Sequence, residues 1–220
     1  MSNRITIAKL PETKIKLVDA GIQLMRARGY NATTVDDICT GAGVTKGGFF
    51  HYFKSKDDIA HAAVARFFEE KANNYETAAF RKLDAPLARV FGRLDYVKES
   101  SGGNDRVTRG CLIGVLAQEL AFTNPQIRDL CQDFFTRVVR DFTQDLAAAK
   151  TVHAPGAKFD PAALAQMYLA IVQGSLMLAK IAGKNDVLHE NIEQFRDYLK
   201  SLFGVAHPKP MVQAIEKSYH

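Results

Sequence analysis

Helical periodicity runs through almost the whole chain, and it constrains the fold more than any other feature of the sequence. Ile15, Val18, Ile22 and Met25 recur at i, i+3, i+7 and i+10, one stripe of a helix. Arg26 and Arg28 suit its last turn, and Gly29 suits its stop. No stretch alternates apolar and polar residues with period two, so no sheet is expected. Pro86, Pro125 and Pro161 stand where a first helical turn tolerates proline, and Asn124 and Asp160 precede the last two as N-caps. After the first helix, the pattern predicts helices near 34–42, 45–53, 56–80, 86–100, 106–122, 125–149, 160–182 and 187–203. The expectation is an all-α protein of about nine helices, with residues 205–220 as a C-terminal extension.

Composition narrows the class. Of 220 residues 47% are apolar and 24% charged, as in ordinary globular proteins, so a core is expected without staples. No window holds 18 consecutive apolar residues, and Met1 to Thr6 lacks a secretory pattern. A cytoplasmic location and no membrane partner are therefore expected. Cys39, Cys111 and Cys131 are odd in number and far apart, which suits neither a disulfide framework nor a Cys-x-x-Cys zinc pair. The six histidines show no paired ligand spacing, so no metal and no cofactor are expected. The net charge is +5. Residues 1–60 carry nine Lys and Arg against six Asp and Glu, so the basic excess is densest there. That region is where a polyanion would bind.

Residues 34–54 then gain weight. Thr34-Val35-Asp36-Asp37 reads as a capping box that starts a helix with Val35, Ile38, Cys39 and Ala42 on its buried stripe. Gly41-Ala42-Gly43 turns the chain, and Thr45 caps a short helix ending near Phe53. Ser55-Lys56-Asp57-Asp58 opens the next helix. Length and order are those of a helix-turn-helix. The short helix contains Gly47 and Gly48, each costing about 1 kcal/mol against alanine, so folding alone does not account for it. Glycine lets a backbone approach a surface closely. Phe49 and Phe53 would pack inward, while Lys46, Gly47, Phe50 and His51 face out and Tyr52, Lys54 and Lys56 lie along the rim. A small apolar helix in an all-α core is the plainer account of the same residues.

The run from Thr33 to Asp57, with Ala42-Gly43-Val44-Thr45-Lys46-Gly47-Gly48-Phe49-Phe50-His51-Tyr52-Phe53 at its centre, resembles the DNA-binding domain of TetR-family transcriptional regulators. The resemblance implies a dimeric repressor that binds a double-stranded DNA operator and is released by a small-molecule effector. It divides the chain into a DNA-binding domain, 1–55, and an effector-binding and dimerisation domain, 56–204. By position, Thr34 and Tyr52 match backbone-phosphate contacts. Thr45, Lys46, Gly47, Gly48 and His51 match the helix that meets the groove, and Lys56 the basic start of the fourth helix. Phe50 stands where the family usually has tyrosine. It cannot donate to phosphate, and a thymine methyl is the contact left to it. Arg109-Gly110-Cys111-Leu112 resembles a subgroup whose sixth helix begins Gly-Cys-Leu, with members that respond to electrophiles and to small unsaturated acids.

The C-terminal half offers candidates with two readings each. Cys111 begins a helix close to Arg109, which favours a reactive thiolate; a small buried residue is the alternative. Val115, Gln118 and Phe122 share its face and would line a pocket, unless Gln118 faces solvent. Phe91, Tyr96, Phe134, Tyr168 and Met177 would complete an effector box or belong to the core. Ile192, Phe195, Leu199 and Leu202 form a stripe, and the 160–182 helix is apolar nearly all round, with Tyr168, Ile171 and Ser175 on it. Two such helices per chain suit a dimer bundle or an intrachain core. No catalytic motif is present, so no enzyme is expected; a helical enzyme or a protein-interaction module are the competing classes.

Overall fold

The computed structural model describes residues 11–101 and 110–205. Among the described residues there are nine α-helices, one 3₁₀ turn (Ala79–Lys82) and no strand. The helices are α1 (Glu12–Arg28), α2 (Val35–Ala42), α3 (Lys46–Tyr52), α4 (Lys56–Thr77), α5 (Pro86–Ser100), α6 (Leu112–Leu120), α7 (Pro125–His153), α8 (Pro161–Ala182) and α9 (Asp186–Phe203).

Local chemistry fixes the boundaries. The Thr34 hydroxyl accepts from the Asp37 N–H at 3.1 Å while the Asp37 carboxylate accepts from the Thr34 N–H at 2.9 Å, a complete capping box. Thr45, Ser55, Asn124 and Asp160 cap α3, α4, α7 and α8 through their side-chain oxygens. Gly43 ends α2 at φ 64°, a conformation that a Cβ would strain. The predicted 56–80 helix closes at Thr77 and passes into the 3₁₀ turn. The sixth helix is shorter than the expected 106–122: it starts at Leu112, with Cys111 as its extended N-cap, and stops at Leu120. Residues 106–109, including Arg109, lie outside the described residues, as does the extension from 206 on.

Two apolar cores organise these helices. The first joins α1–α4 to α6 and the start of α7, through Leu17, Met25, Ile38, Phe49, Ile59, Phe67, Leu116 and Ile127. The second joins α5, the rest of α7, α8 and α9, through Leu94, Phe142, Leu146, Tyr168, Ile192, Phe195 and Leu199. The first core therefore runs on past the 55/56 junction into α4 and α6.

The second core corrects the expected dimer stripe. Tyr168, Ser175, Ile192, Phe195 and Leu199 are buried within this single chain, and Ile171 and Leu202 pack partly against the same core. An amphipathic stripe says that a face is covered, not by what. On the last two helices the large apolar side chains left exposed are others: Met167, Met177, Leu178 and Ile181 on α8, and Tyr198 on α9 with Val205 just past its end. By length and hydropathy alone α8 would pass as a membrane span. Its inner face is packed into the second core, and its outer face keeps that apolar surplus.

Candidate functional site

The α2–turn–α3 segment presents one face to solvent. Phe49 and Phe53 point inward and are buried, their rings 5.6 Å apart. Thr45, Lys46, Gly47, Phe50 and His51 are exposed, and Phe50 keeps 52% of its surface. The two glycines differ. A Cβ at Gly48 would stand 2.8 Å from Val44 Cγ1, so internal packing explains that glycine. At Gly47 the nearest atom is 4.0 Å away, and nothing inside the protein requires a missing side chain there. Close approach of an outside surface is the remaining physical reason.

The charges around this face are partly engaged. Lys46 Nζ lies 2.9 Å from Asp36 Oδ1, both side chains well exposed. Asp37, hydrogen-bonded by Thr34 and Arg28, has its carboxyl held down at about 2. Lys56 does not reach outward as expected: its ammonium donates to the Tyr30 carbonyl at 3.1 Å and sits 4.0 Å over the Tyr30 ring. Tyr30 in turn donates to Asp57. Tyr52 is half-buried with its ring against His51.

The second site is a cavity of about 170 Å³ between the two cores. Phe67, Cys111 and Phe134 reach it from the first core; Val97, Val138, Tyr168, Val172 and Leu176 reach it from the second. The polar lining is three cations, Arg26, Lys71 and Arg93, with Tyr75, Tyr96, Ser100, Ser101 and Gln173. Burial lowers Arg93, Lys71 and Arg26 from their ordinary values.

Arg26 ties this wall to the helix-turn-helix end of the molecule. It leaves α1, donates to the Gly110 carbonyl at 3.0 Å, and its own carbonyl accepts from Lys180 of α8 at 2.6 Å. Beside it the Glu119 carboxylate accepts from the Asn31 N–H at 2.8 Å. A Cβ at Gly29 would clash with that carboxylate, and Gly29 also holds φ 94°.

Known proteins share this arrangement. Residues 17–63 match the family of bacterial regulatory proteins described as the tetR family. Residues 94–194 match the C-terminal domain of LmrA/YxaF-like transcriptional regulators. The transcriptional regulator AcuR of Cereibacter sphaeroides is 30% identical over 181 residues, 81% of either chain. The chain belongs to the TetR family of transcriptional regulators. The repressor DhaR of a Mycobacterium species is 25% identical over 174 residues, 79% of this chain and 85% of its own. A crystal structure of a regulatory protein TetR from Rhodobacter sphaeroides superposes with a TM-score of 0.76 at 28% identity, covering 84% of this chain and 98% of its own. This TetR-family protein is a DNA-binding regulator and not an enzyme.

Within this regulator, Tyr96, Cys111, Phe134 and Tyr168 line the cavity, whereas Phe91, Val115, Gln118 and Met177 do not. Phe91 packs against the second core beneath Arg196. Gln118 faces solvent, Met177 lies on the exposed face of α8, and Phe122 stands past the end of α6 with 99% of its surface exposed. Gly110 and Cys111, just before α6, reach the cavity and no residue of α6 itself lines it, so the Cys111–Val115–Gln118 face leads away from it. Arg26, Lys71, Tyr75 and Arg93 were missed. The available signal was phase: Arg93 falls between Val90, Leu94 and Val97 on the inward stripe of α5.

Proposed function

We propose that this regulator is a repressor that binds an inverted-repeat operator as a homodimer and lets go when a small effector enters the inter-core cavity. The observation that carries the DNA side is α3, with an open Gly47, exposed Lys46, Phe50 and His51, and inward Phe49 and Phe53. Repression is supported by relatives named as repressors, DhaR among them. The partner in the dimer is a second copy, seated on the apolar outer face of α8 and the end of α9 rather than on the buried Ile192–Phe195–Leu199 stripe. Gly174 lies on α8 with nothing within 4 Å of its would-be Cβ, which permits close helix approach. The two α3 helices would then meet successive major grooves about 34–36 Å apart. Effector binding must favour the state that does not fit DNA, since equal affinity for both shifts nothing. Arg26 is the link, because it forms part of the cavity wall and of α1 at once.

Fluorescence anisotropy on DNA from upstream of its own gene tests this reading. The expected result is tight, steeply salt-dependent binding to a symmetric site at two chains per operator. Tight half-site binding by a sedimentation-verified monomer overturns the dimer.

A second reading concerns Cys111. Its thiol lines the cavity beside Arg26 and Lys71, open to a small electrophile. Cys131 is buried, and burial with the nearby Cys111 pushes its thiol up to about 11, so it is no ready partner for exchange. Cys111→Ser that still releases operator on treatment with N-ethylmaleimide, with no label on the wild-type Cys111 peptide, assigns the thiol to shaping the cavity.

A further inference from the structure

Residues 29–33 form the turn between α1 and α2 and lead directly into Thr34, the cap of α2. Polar side chains from two other helices grip this turn. From α4, the Lys56 ammonium donates to the Tyr30 carbonyl at 3.1 Å and lies 4.0 Å over the Tyr30 ring, while Asp57 accepts from the Tyr30 hydroxyl. From α6, the Glu119 carboxylate accepts from the Asn31 N–H at 2.8 Å. Inside the turn, the buried Thr33 hydroxyl donates to the Gly29 carbonyl at 2.7 Å, and the Thr33 N–H donates to the Tyr30 carbonyl at 3.1 Å. The turn is thus closed internally and then fixed from two helices outside it.

Neither Glu119 nor Lys56 is needed there to satisfy a buried group. Asn31 is exposed, so water would take its N–H if Glu119 were absent. The Tyr30 carbonyl already accepts from Thr33. The net gain in stability from either contact is therefore small. Both work against DNA binding by charge alone. Glu119 places a negative charge beside a domain that binds a polyanion, and Lys56 keeps a positive one turned inward. The backbone is also shaped to admit the carboxylate. Gly29 holds φ 94°, and a Cβ there would clash with Glu119. What the two contacts share is position: the turn sets where α2 begins, and α2 and α3 are packed into one core behind it.

We propose that Glu119 and Lys56 are positioning residues for operator binding, which hold the α1–α2 turn and through it the angle of α3, and that neither touches DNA. This rests on the reading of α3 as the helix that enters the groove. It moves Lys56 from the rim, where backbone phosphates run, to the support behind α2.

Anisotropy on the duplex from upstream of its own gene, titrated at several salt concentrations with full-length variants, tests the proposal. Charge alone predicts tighter binding by Glu119→Ala, which removes an acid. Positioning predicts the reverse, about tenfold weaker binding by Glu119→Ala. Glu119→Gln keeps an acceptor oxygen for the Asn31 N–H and should stay within about threefold of wild type. Lys56→Met should weaken binding about fivefold and leave the slope of log affinity against log salt unchanged. Loss of a phosphate contact would instead make that slope shallower by about 0.9 for each chain bound. Melting temperatures near that of wild type show that the variants fold. Hydrogen exchange in Glu119→Ala should quicken across residues 29–34 and not in α4. Equal or tighter binding by Glu119→Ala overturns the role of Glu119, as does a Glu119→Gln protein as weak as Glu119→Ala. A shallower slope in Lys56→Met returns Lys56 to the phosphates. Lys46→Gln, measured alongside, separates the two readings. If it leaves binding unchanged, α3 does not meet the groove and the positioning role falls with that reading. If it weakens binding while Glu119→Ala does not, the positioning role falls alone.

Discussion

The two cores are built alike and used differently. The first takes in the two short helices α2 and α3, whose starts are fixed by local caps, and it carries the exposed face of α3. The second is assembled from long helices, carries an exposed apolar face on α8, and buries a charged cluster around Asp145. One face suits a charged polymer and the other a protein copy. The cavity lies where they meet, so a ligand there touches both at once. A seam is a better place for a switch than the middle of either core, because packed cores resist continuous deformation.

The largest expected effects test whether the cores are one cooperative body. Phe49 and Phe142 are both fully buried, one in each core. Phe49→Ala and Phe142→Ala should each cost about 3–5 kcal/mol in denaturant titrations. A single transition in both variants says that α6 and α7 weld the cores together. Two transitions in Phe49→Ala, with the second unchanged, would separate them. Operator binding should be lost in Phe49→Ala and kept in folded Phe142→Ala.

The glycine pair sharpens the contrast at smaller scale. Gly48→Ala pushes a methyl toward Val44 and should cost about 1–3 kcal/mol of stability. Gly47→Ala meets nothing and should raise stability by about 0.5–1 kcal/mol. Its operator affinity should fall all the same, by tenfold or more, because the new methyl stands between α3 and DNA. A Gly47→Ala protein that is stabler and binds DNA equally well would take α3 out of the groove.

The same contrast explains what the sequence made legible. Thr34, Gly43, Thr45 and Ser55 act on neighbours a few residues away, so the helix-turn-helix could be read residue by residue. Asn124-Pro125 and Asp160-Pro161 worked equally well for α7 and α8. The cavity is made by residues from helices far apart in the chain, and no local rule brings Arg26, Lys71, Tyr75 and Arg93 together. Lys56 shows the limit on the DNA side. Its position was readable, but its commitment to Tyr30, 26 residues away, was not. The stripe on α9 failed for a related reason: periodicity names the covered face and is silent on whether the cover is the same chain.

A local cap also predicts an acid limit. The Asp37 carboxyl is held down at about 2 by Thr34 and Arg28, against 3.8 ordinarily. A depressed value stabilises the fold above the unfolded value, and that contribution fades as pH falls from about 4 toward 2. Thr34→Ala should lower stability by about 1 kcal/mol at neutral pH and soften the acid limb. Asp37→Asn should remove its share of the limb, seen as a flatter melting temperature against pH over that window.

The smallest effect on stability is expected at Lys46 and Asp36. Their pair is exposed on both sides, so breaking it should change stability by less than about 1 kcal/mol. Its effect on DNA should be larger, because both charges lie on or beside the α3 face. Without DNA, Asp36 holds the Lys46 ammonium, and an operator must compete for it. Lys46→Gln should therefore weaken binding. The weakening falls on one base pair, by about 1–3 kcal/mol, if Lys46 reads a base edge. It falls on all sequences alike, with a shallower salt slope, if Lys46 meets phosphate. Asp36→Asn should tighten binding, since it frees Lys46 and removes a negative charge near the backbone. Anisotropy titrations at two salt concentrations on wild type, both single variants and the double variant resolve these terms. Tighter binding by Asp36→Asn that disappears in the double variant places the gain on the released ammonium. Weaker binding by Asp36→Asn alone reverses the assignment, because Asp36 would then be holding Lys46 in the orientation that reads DNA.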